Sequence, residues 1–377
     1  MMNMLDVQDV VKCFGTTIAL DHTSFSLHNN DFLVLAGPSN SGKTTLFRLL
    51  SGLERPDSGA ILLNGVNIGE REGGARKVAL VSHKYGVAYK LSVYDNIAQS
   101  LRFRRQSKKM VDQQVQSALE ILELQHLQKM HMRQLSGGEI QRVMIAKAMV
   151  RDADLYLFDE PLAQLDPHTH HRAQQAIQMV HRLKGAISIY ATQHPTSALT
   201  IATRLALIHQ GRIQQIGAPE EVLRRPANLF VAEYLHQPRF NQVPASVHAT
   251  DTGYLIQADG FSFILPPAWQ APLAQLANQA GVILGIRPNT ILSTWTPSLL
   301  DASGYIHIPT QITHIDHLMG KWTMQLRVGQ QTNLVAELKD IYHPSLQAGT
   351  HIEIGLHPDD ICLFHPTTRT LLLPPSG

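Results

Sequence analysis

A chain of 377 residues exceeds a single typical domain, so two are expected, each long enough to bury a core. Charged residues make up 16% and hydrophobic ones 44%, and a formal net charge of +2 supplies no strong basic field, which argues against a nucleic-acid partner. The cysteines, Cys13 and Cys362, stand at opposite ends, so a disulfide framework is not expected and a reducing compartment fits; no apolar run reaches the length of a membrane span, and no basic, then apolar, signal segment opens the chain. The expectation is a chain that is soluble, or that meets a membrane only through a partner.

Leu5 to Leu27 mixes short apolar stretches with a turn signal at Phe14-Gly15-Thr16, which predicts antiparallel strands. Phe32 to Ala36 follows as a buried strand, and Leu46 to Leu50 reads as the start of a helix. Between them lies GPSNSGKTT, Gly37 to Thr45, in the strand, glycine loop, helix order that a phosphate-binding P-loop requires. Gly37 and Gly42 let the backbone curl so that successive N–H groups form an anion nest, and the helix adds its positive end. Lys43 would reach the β- and γ-phosphates, and Thr44 would offer its hydroxyl to Mg²⁺. Arg55 to Gly59 reads as a turn, Ala60 to Leu63 as a strand, Asn64-Gly65 as a hairpin turn and Val78 to Val81 as a further buried strand.

From Val93 to Gln134 the pattern becomes helical, with Val111, Val115, Leu119 and Leu122 recurring on one face, and predicts a helical insertion. It ends at Leu135-Ser136-Gly137-Gly138-Glu139, before a helix predicted from Ile140 to about Val150. Serine and two glycines there suit either an ordinary cap or a helix end that accepts a phosphate. Leu155 to Phe158 is a buried strand running into Asp159 and Glu160, two acids at the carboxyl end of a core strand, where open α/β sheets bind ligands. Asp159 would hold Mg²⁺ directly or through water, and Glu160 would orient and deprotonate an attacking water. Strands are predicted at Ile187 to Ala191, Leu205 to Ile208 and Arg212 to Ile216, and prolines from Pro226 to Pro244 mark a linker. Beyond it, alternating segments at Tyr254 to Ala258, Phe261 to Leu265, Ile306 to Ile315, Trp322 to Val328 and His351 to Leu356 predict a second, all-β domain of small-barrel type.

Together, GPSNSGKTT, LSGGEIQRV (Leu135 to Val143), LYLFDEP (Leu155 to Pro161) and LAQLD (Leu162 to Asp166) resemble the ATP-binding subunits of ABC transporters, and more closely those of maltose-type carbohydrate importers. PANLFVAEYL (Pro226 to Leu235), LGIRP (Leu284 to Pro288) and HPDDICLF (His357 to Phe364) are similar to the importer linker and its oligonucleotide-fold regulatory domain, so the resemblance runs nearly the full length. It implies an α/β P-loop NTPase domain at 1–236, with a helical subdomain at about 93–150, followed by a smaller all-β, oligonucleotide-fold-like domain at 237–377. It also implies a nucleotide sandwich in which two ATPase subunits meet head to tail. ATP and Mg²⁺ would be bound by Gly37, Pro38, Ser39, Asn40, Ser41, Gly42, Lys43, Thr44 and Thr45, with Phe14 stacked on adenine and Thr44 and Asp159 on the metal. Ser136, Gly137, Gly138 and Glu139 would grip the γ-phosphate from the opposite subunit, and Asp166 would couple the two sites. The implied partners are a second ATPase subunit, identical or different, two integral membrane permease subunits and, indirectly, an extracytoplasmic solute-binding protein. The implied location is peripheral, on the cytoplasmic face of the inner membrane.

Two positions depart from that pattern. Where such importers carry a Gln after the strand Val78 to Val81, this chain has His83, and where a switch His is expected it has Gln193, with His194 one residue late. Either His83 and Gln193 face one another and preserve modest hydrolysis, or positioning is lost, because imidazole is a poorer Mg²⁺ ligand than an amide oxygen. The second alternative implies a heterodimer in which this chain holds ATP and completes a partner's competent site. Ala163 in place of Ser, Glu139 in place of Gln and Asn30-Asp31 in place of Gly-Glu are smaller departures. The solute implied is a carbohydrate or glycerol phosphate, with polyamine, iron or sulfate as alternatives.

Overall fold

The computed structural model describes residues 4–70, 76–82, 86–162, 167–194, 199–236, 238–265, 269, 273, 276, 281–293, 304–318, 321–338 and 346–372. Two compact units are present, Met1–Val222 and Leu223–Gly377.

In the first unit, β1 (Met4–Phe14) and β2 (Thr17–His28) form the predicted antiparallel pair, and β3 (Phe32–Ala36) leads through the glycine loop into α1 (Lys43–Ser51). β4 (Ser58–Leu63) and β5 (Val66–Asn67) are joined by Asn64-Gly65, both at positive φ, as a two-residue hairpin turn demands. β6 (Val78–Ser82), α2 (Val93–Phe103), α3 (Lys108–Ile121), α4 (Gly137–Met149), β7 (Leu155–Asp159), α5 (Pro167–Lys184), β8 (Ile187–Thr192), β9 (Arg204–His209) and β10 (Arg212–Gly217) follow. One sheet has the order β2-β1-β4-β5, the other β10-β9-β3-β8-β7-β6. In the latter β9, β3, β8, β7 and β6 run parallel, and β10 closes the edge antiparallel. β3, β7 and β8 are buried at every residue, which is why their sequences are unbroken apolar runs rather than alternations.

The helical insertion is α2, α3 and α4 with short 3₁₀ turns at Gln125–Leu127 and Met132–Gln134 between the last two. Val111, Val115 and Leu119 are buried on α3, while Leu122 is buried one residue past its end. The helix after the serine-glycine stretch starts at Gly137, three residues earlier than predicted, because Ser136 and Glu139 cap it reciprocally. The strand predicted from Ala60 likewise starts at Ser58, where β4 still pairs with Val11.

α6 (Pro219–Arg224) spans the boundary between the units. The stretch from Pro226 to Pro244 is not a linker. It holds α7 (Leu229–Leu235) and the start of β11 (Asn241–Thr250), and the units divide at 222/223 rather than 236/237. Leu229 and Ala232 of α7 pack with Phe240, Cys362 and Phe364, which draws the helix into the second unit. Pro244 fits its strand because β11 is there paired with one neighbour only, so its missing N–H removes no ladder bond on the other side.

β12 (Gly253–Ala258), β13 (Phe261–Leu265), β14 (Val282–Ile286), β15 (Leu292–Ser293), β16 (Ile306–Leu318), β17 (Lys321–Val328), β18 (Thr332–Leu338), β19 (His351–Leu356), β20 (Ile361–Phe364) and β21 (Leu371–Leu372) complete an all-β unit. Among the described residues it has two antiparallel sheets, β13-β12-β11-β14-β20-β21 and β15-β19-β16-β17-β18, so it is larger than a small five-stranded barrel. Val243, Ile256 and Leu284 from one sheet share a core with Ile308, Leu326 and Leu334 from the other. Asn241 ties the sheets together: its amide donates to the carbonyls of Ile286 and Val335 and accepts from the Val335 N–H. Asn241→Ala is expected to cost about 2–4 kcal/mol, since buried main-chain groups lose their partners, and a urea melt of the second unit's transition checks this.

Candidate nucleotide site

The sheet order brings three chain segments to one place. β3 lies between β9 and β8, and β8 lies beside β7, so the carboxyl ends of β3, β8 and β7 emerge next to each other. The ladders set Ala36 opposite Thr192 and Asp159 opposite Ala191, and Ser82, the last residue of β6, opposite Asp159. The glycine loop, Gln193 and the acid pair therefore share one sheet edge. A cleft of about 600 Å³ opens there, lined by Thr17, Ile18, Ala19, the loop from Ser39 to Thr45, Asp159, Glu160 and Gln193.

Local conformation explains the loop. Asn40 and Gly42 both have positive φ, 62° and 109°. A Cβ at Gly37 would run into the Ile208 carbonyl oxygen, and one at Gly42 would lie 2.6 Å from that of Ala19. Only glycine satisfies both close approaches. Gly42 is also the N-cap of α1 and has no side chain to occupy the first-turn N–H groups, which leaves that helix end available to an anion.

Lys43 folds back over the loop and donates to the carbonyls of Gly37 (2.7 Å) and Pro38 (2.8 Å) and to Ser41 Oγ (3.5 Å). Burial pushes its pKa below the ordinary lysine value, and the charges of Glu160 and Asp159 oppose that push. Asp159 is buried at the end of β7, while Thr44 is exposed at the mouth of the cleft. Glu160 has φ 46° and its N–H donates to the Ala191 carbonyl at 3.0 Å, so the turn off β7 is fixed by the neighbouring strand. Such a conformation is costly for a side-chain-bearing residue and clusters at working sites.

Gln193 links the two halves. Its Nε2 donates to Glu160 Oε1 at 2.9 Å, and its Oε1 accepts from Ser39 Oγ at 2.9 Å. The two polar ends of one neutral amide thus hold the loop and the acid in register.

The other predicted residues are placed less centrally. Phe14 ends β1 opposite Thr17, is 44% exposed and carries the Lys12 ammonium 5.4 Å above its ring, but it does not line the cleft. Thr17, Ile18 and Ala19 line it instead; the only sequence sign of them is the turn signal at Phe14-Gly15-Thr16 that brings β2 back past the loop. His194 is exposed, and its main-chain N–H donates to Thr192 Oγ1 at 2.9 Å. Ser136, Gly137, Gly138 and Glu139 form the start of α4 and contribute nothing to the cleft of their own chain. His83 and Asp166 lie outside the described residues. No helix of the described residues is long and apolar enough to cross a membrane.

Residues 20–163 match the ABC transporter family. The chain is 32% identical over 372 residues to the sn-glycerol-3-phosphate import ATP-binding protein of a Ruegeria species, covering 97% of this chain and 98% of that one. It is 35% identical over 304 residues to the protein of the same description from Yersinia enterocolitica, covering 80% and 82%. Among solved structures, a dimeric bacterial ABC transporter cassette superposes with a TM-score of 0.53 at 21% identity, covering 57% of this chain and 98% of that chain, a likeness of fold. With a relative matched along almost its whole length and P-loop, acid pair and strand order meeting at one cleft, the chain belongs to the ABC transporter family, among its ATP-binding transport ATPases.

Proposed function

We propose that this protein is the ATPase subunit of a solute importer and that it drives uptake of a glycerol phosphate or related carbohydrate through partner membrane subunits. The convergence of the loop, Asp159, Glu160 and Gln193 on one cleft carries the chemical part of this reading. The descriptions of the relatives support the direction of transport and the class of solute. Lys43 and the loop N–H groups bind the phosphates, and Glu160 takes the proton of the attacking water. The Thr44 hydroxyl and Asp159 carboxylate are hard oxygen donors that fit Mg²⁺, which when bound supplies positive charge to the β- and γ-phosphates.

Two such protomers assemble head to tail, with Ser136 to Glu139 of one closing over the nucleotide of the other. A solved cassette of the same fold is dimeric, which supports the pairing; the head-to-tail arrangement rests on the resemblance carried by LSGGEIQRV. The permease partners, the solute-binding protein and the cytoplasmic membrane face belong to the same proposal. The site of this chain turns over ATP itself: Gln193 contacts Glu160 and Ser39, so an amide at this position still holds the acid. The contrary reading is an ATP-holding subunit of a heterodimer, favoured by the His83 substitution. Reconstitution of the full chain with its membrane subunits in proteoliposomes separates them. Glycerol 3-phosphate uptake with ADP produced by this chain as sole ATPase is expected, whereas trapped ATP without turnover favours the holder.

A further inference from the structure

The first unit holds a second cavity, of about 530 Å³, that shares no lining residue with the nucleotide cleft. It lies where the end of α3 and the middle of α4, both in the helical insertion, meet α5. Its volume falls in the range of small-ligand sites. Two chemistries line it: Leu122, Met179 and Leu183 are apolar, and Arg142, Arg172 and Arg182 are basic. On α5 the lining residues recur at helical spacing and share one face. Met179 and Leu183 remain 41% and 61% exposed there, so the chain itself does not cover this apolar stripe.

The arginines are unequally satisfied. Glu123, at a left-handed turn past α3, is the acid among the lining residues, and it is paired with Arg172 at 2.7 Å. Arg142 is half-buried; its Nη1 reaches the Leu122 carbonyl at 3.4 Å, and its Nε is buried with no hydrogen-bond partner among the described residues. Glu139, one turn back on α4, faces Arg142 through charge alone, since its Oε2 accepts from both the N–H and the hydroxyl of Ser136. Arg182 adds an exposed guanidinium. An unpaired N–H on a buried charged group is costly and calls for an acceptor. With several guanidinium groups on one cavity, an anion answers that call better than water.

We propose that this cavity binds a free, single-chain anionic amphiphile, with a phosphate or carboxylate head on Arg142 and Arg182 and an alkyl chain against Leu122, Met179 and Leu183. A purely polar anion leaves the apolar lining wet, and a neutral apolar molecule leaves the arginines unanswered. Because Leu122 and Arg142 belong to the insertion and Met179, Arg182 and Leu183 to α5, one ligand ties the two parts together.

Calorimetric titration of the full chain, with octyl phosphate below its micelle concentration as the probe, tests this. Saturable binding at a single site and a raised thermal midpoint are expected. Inorganic phosphate should bind at least about 100-fold more weakly for want of the buried chain. Octyltrimethylammonium, with the same chain and the opposite charge, should bind at least about 10-fold more weakly. Arg182→Glu should weaken octyl phosphate binding about 10-fold, and Leu183→Asn about 3–10-fold. Both side chains are exposed on α5, so the fold should survive, which circular dichroism checks. Lys184→Gln, next in the chain but outside the lining, should leave the affinity within about twofold. Equal binding of octyl phosphate and octyltrimethylammonium, an Arg182→Glu variant that binds like the parent, or binding to phosphatidylglycerol vesicles in place of free octyl phosphate would overturn the proposal. ATP turnover enters none of these readouts, so their failure leaves the proposed function standing.

Discussion

Glu160→Gln is expected to lower steady-state ATP turnover by about 10²–10⁴-fold, the usual contribution of a positioned proton acceptor, while nucleotide binding survives. Glu160 is held from three directions: by the left-handed turn off β7, by its N–H on the Ala191 carbonyl and by the Gln193 amide on its Oε1. A glutamine keeps the acceptor oxygen that Gln193 needs, so the geometry persists and only the capacity to take a proton is lost. One side effect has a defined sign. The Glu160 charge opposes the burial that lowers the Lys43 pKa, so its removal lowers that pKa further. Phosphate affinity that depends on the ammonium is present below the Lys43 pKa and is lost as pH rises through it. In the variant this alkaline loss therefore begins at lower pH. Phosphate release and equilibrium dialysis across pH measure the two effects separately, and turnover within tenfold of the parent would remove Glu160 from the role of base.

Gln193→Ala should reduce turnover by about 10–100-fold, the scale of a misplaced reacting group, mainly in kcat. The amide spends its donor on Glu160 and its acceptor on Ser39, so truncation frees the carboxylate to rotate and leaves the Ser39 hydroxyl without that acceptor. On the proposed reading, ground-state phosphate contacts belong to Lys43 and the loop amides, so KM should move little. Gln193→Glu should be worse than Ala, because it sets a second carboxylate against Glu160. Full turnover in the alanine variant would mean that the amide bridge does not organise the reaction.

The parts of the site that are continuous in sequence were legible there. Gly37 to Thr45 announces itself because a backbone nest needs glycines at fixed offsets, and Asp159-Glu160 because two acids end an otherwise apolar strand. What escaped was whatever depends on register between distant strands. That Gln193 reaches Glu160 and Ser39 follows from β8 lying between β3 and β7, which composition does not encode. Thr17, Ile18 and Ala19 look like ordinary strand residues until β2 is seen passing the loop. The misread linker has a local cause: Pro226 and Pro244 carry strong turn signals, yet the apolar contacts of Leu229, Ala232 and Phe240 outweigh them. In the second unit the alternating strands are legible, whereas β14, Val282–Ile286, gives no such signal, because its run VILGI is nearly all buried and lacks alternation.

Lys43 rests on the carbonyl oxygens of Gly37 and Pro38, so the curled loop is braced by its own side chain. On the proposed reading, an incoming triphosphate must win that ammonium from these internal acceptors, which makes ligand entry an exchange of partners. The affinity expected on that reading reports the difference between two sets of hydrogen bonds, and understates how tightly the lysine would grip the phosphates once transferred.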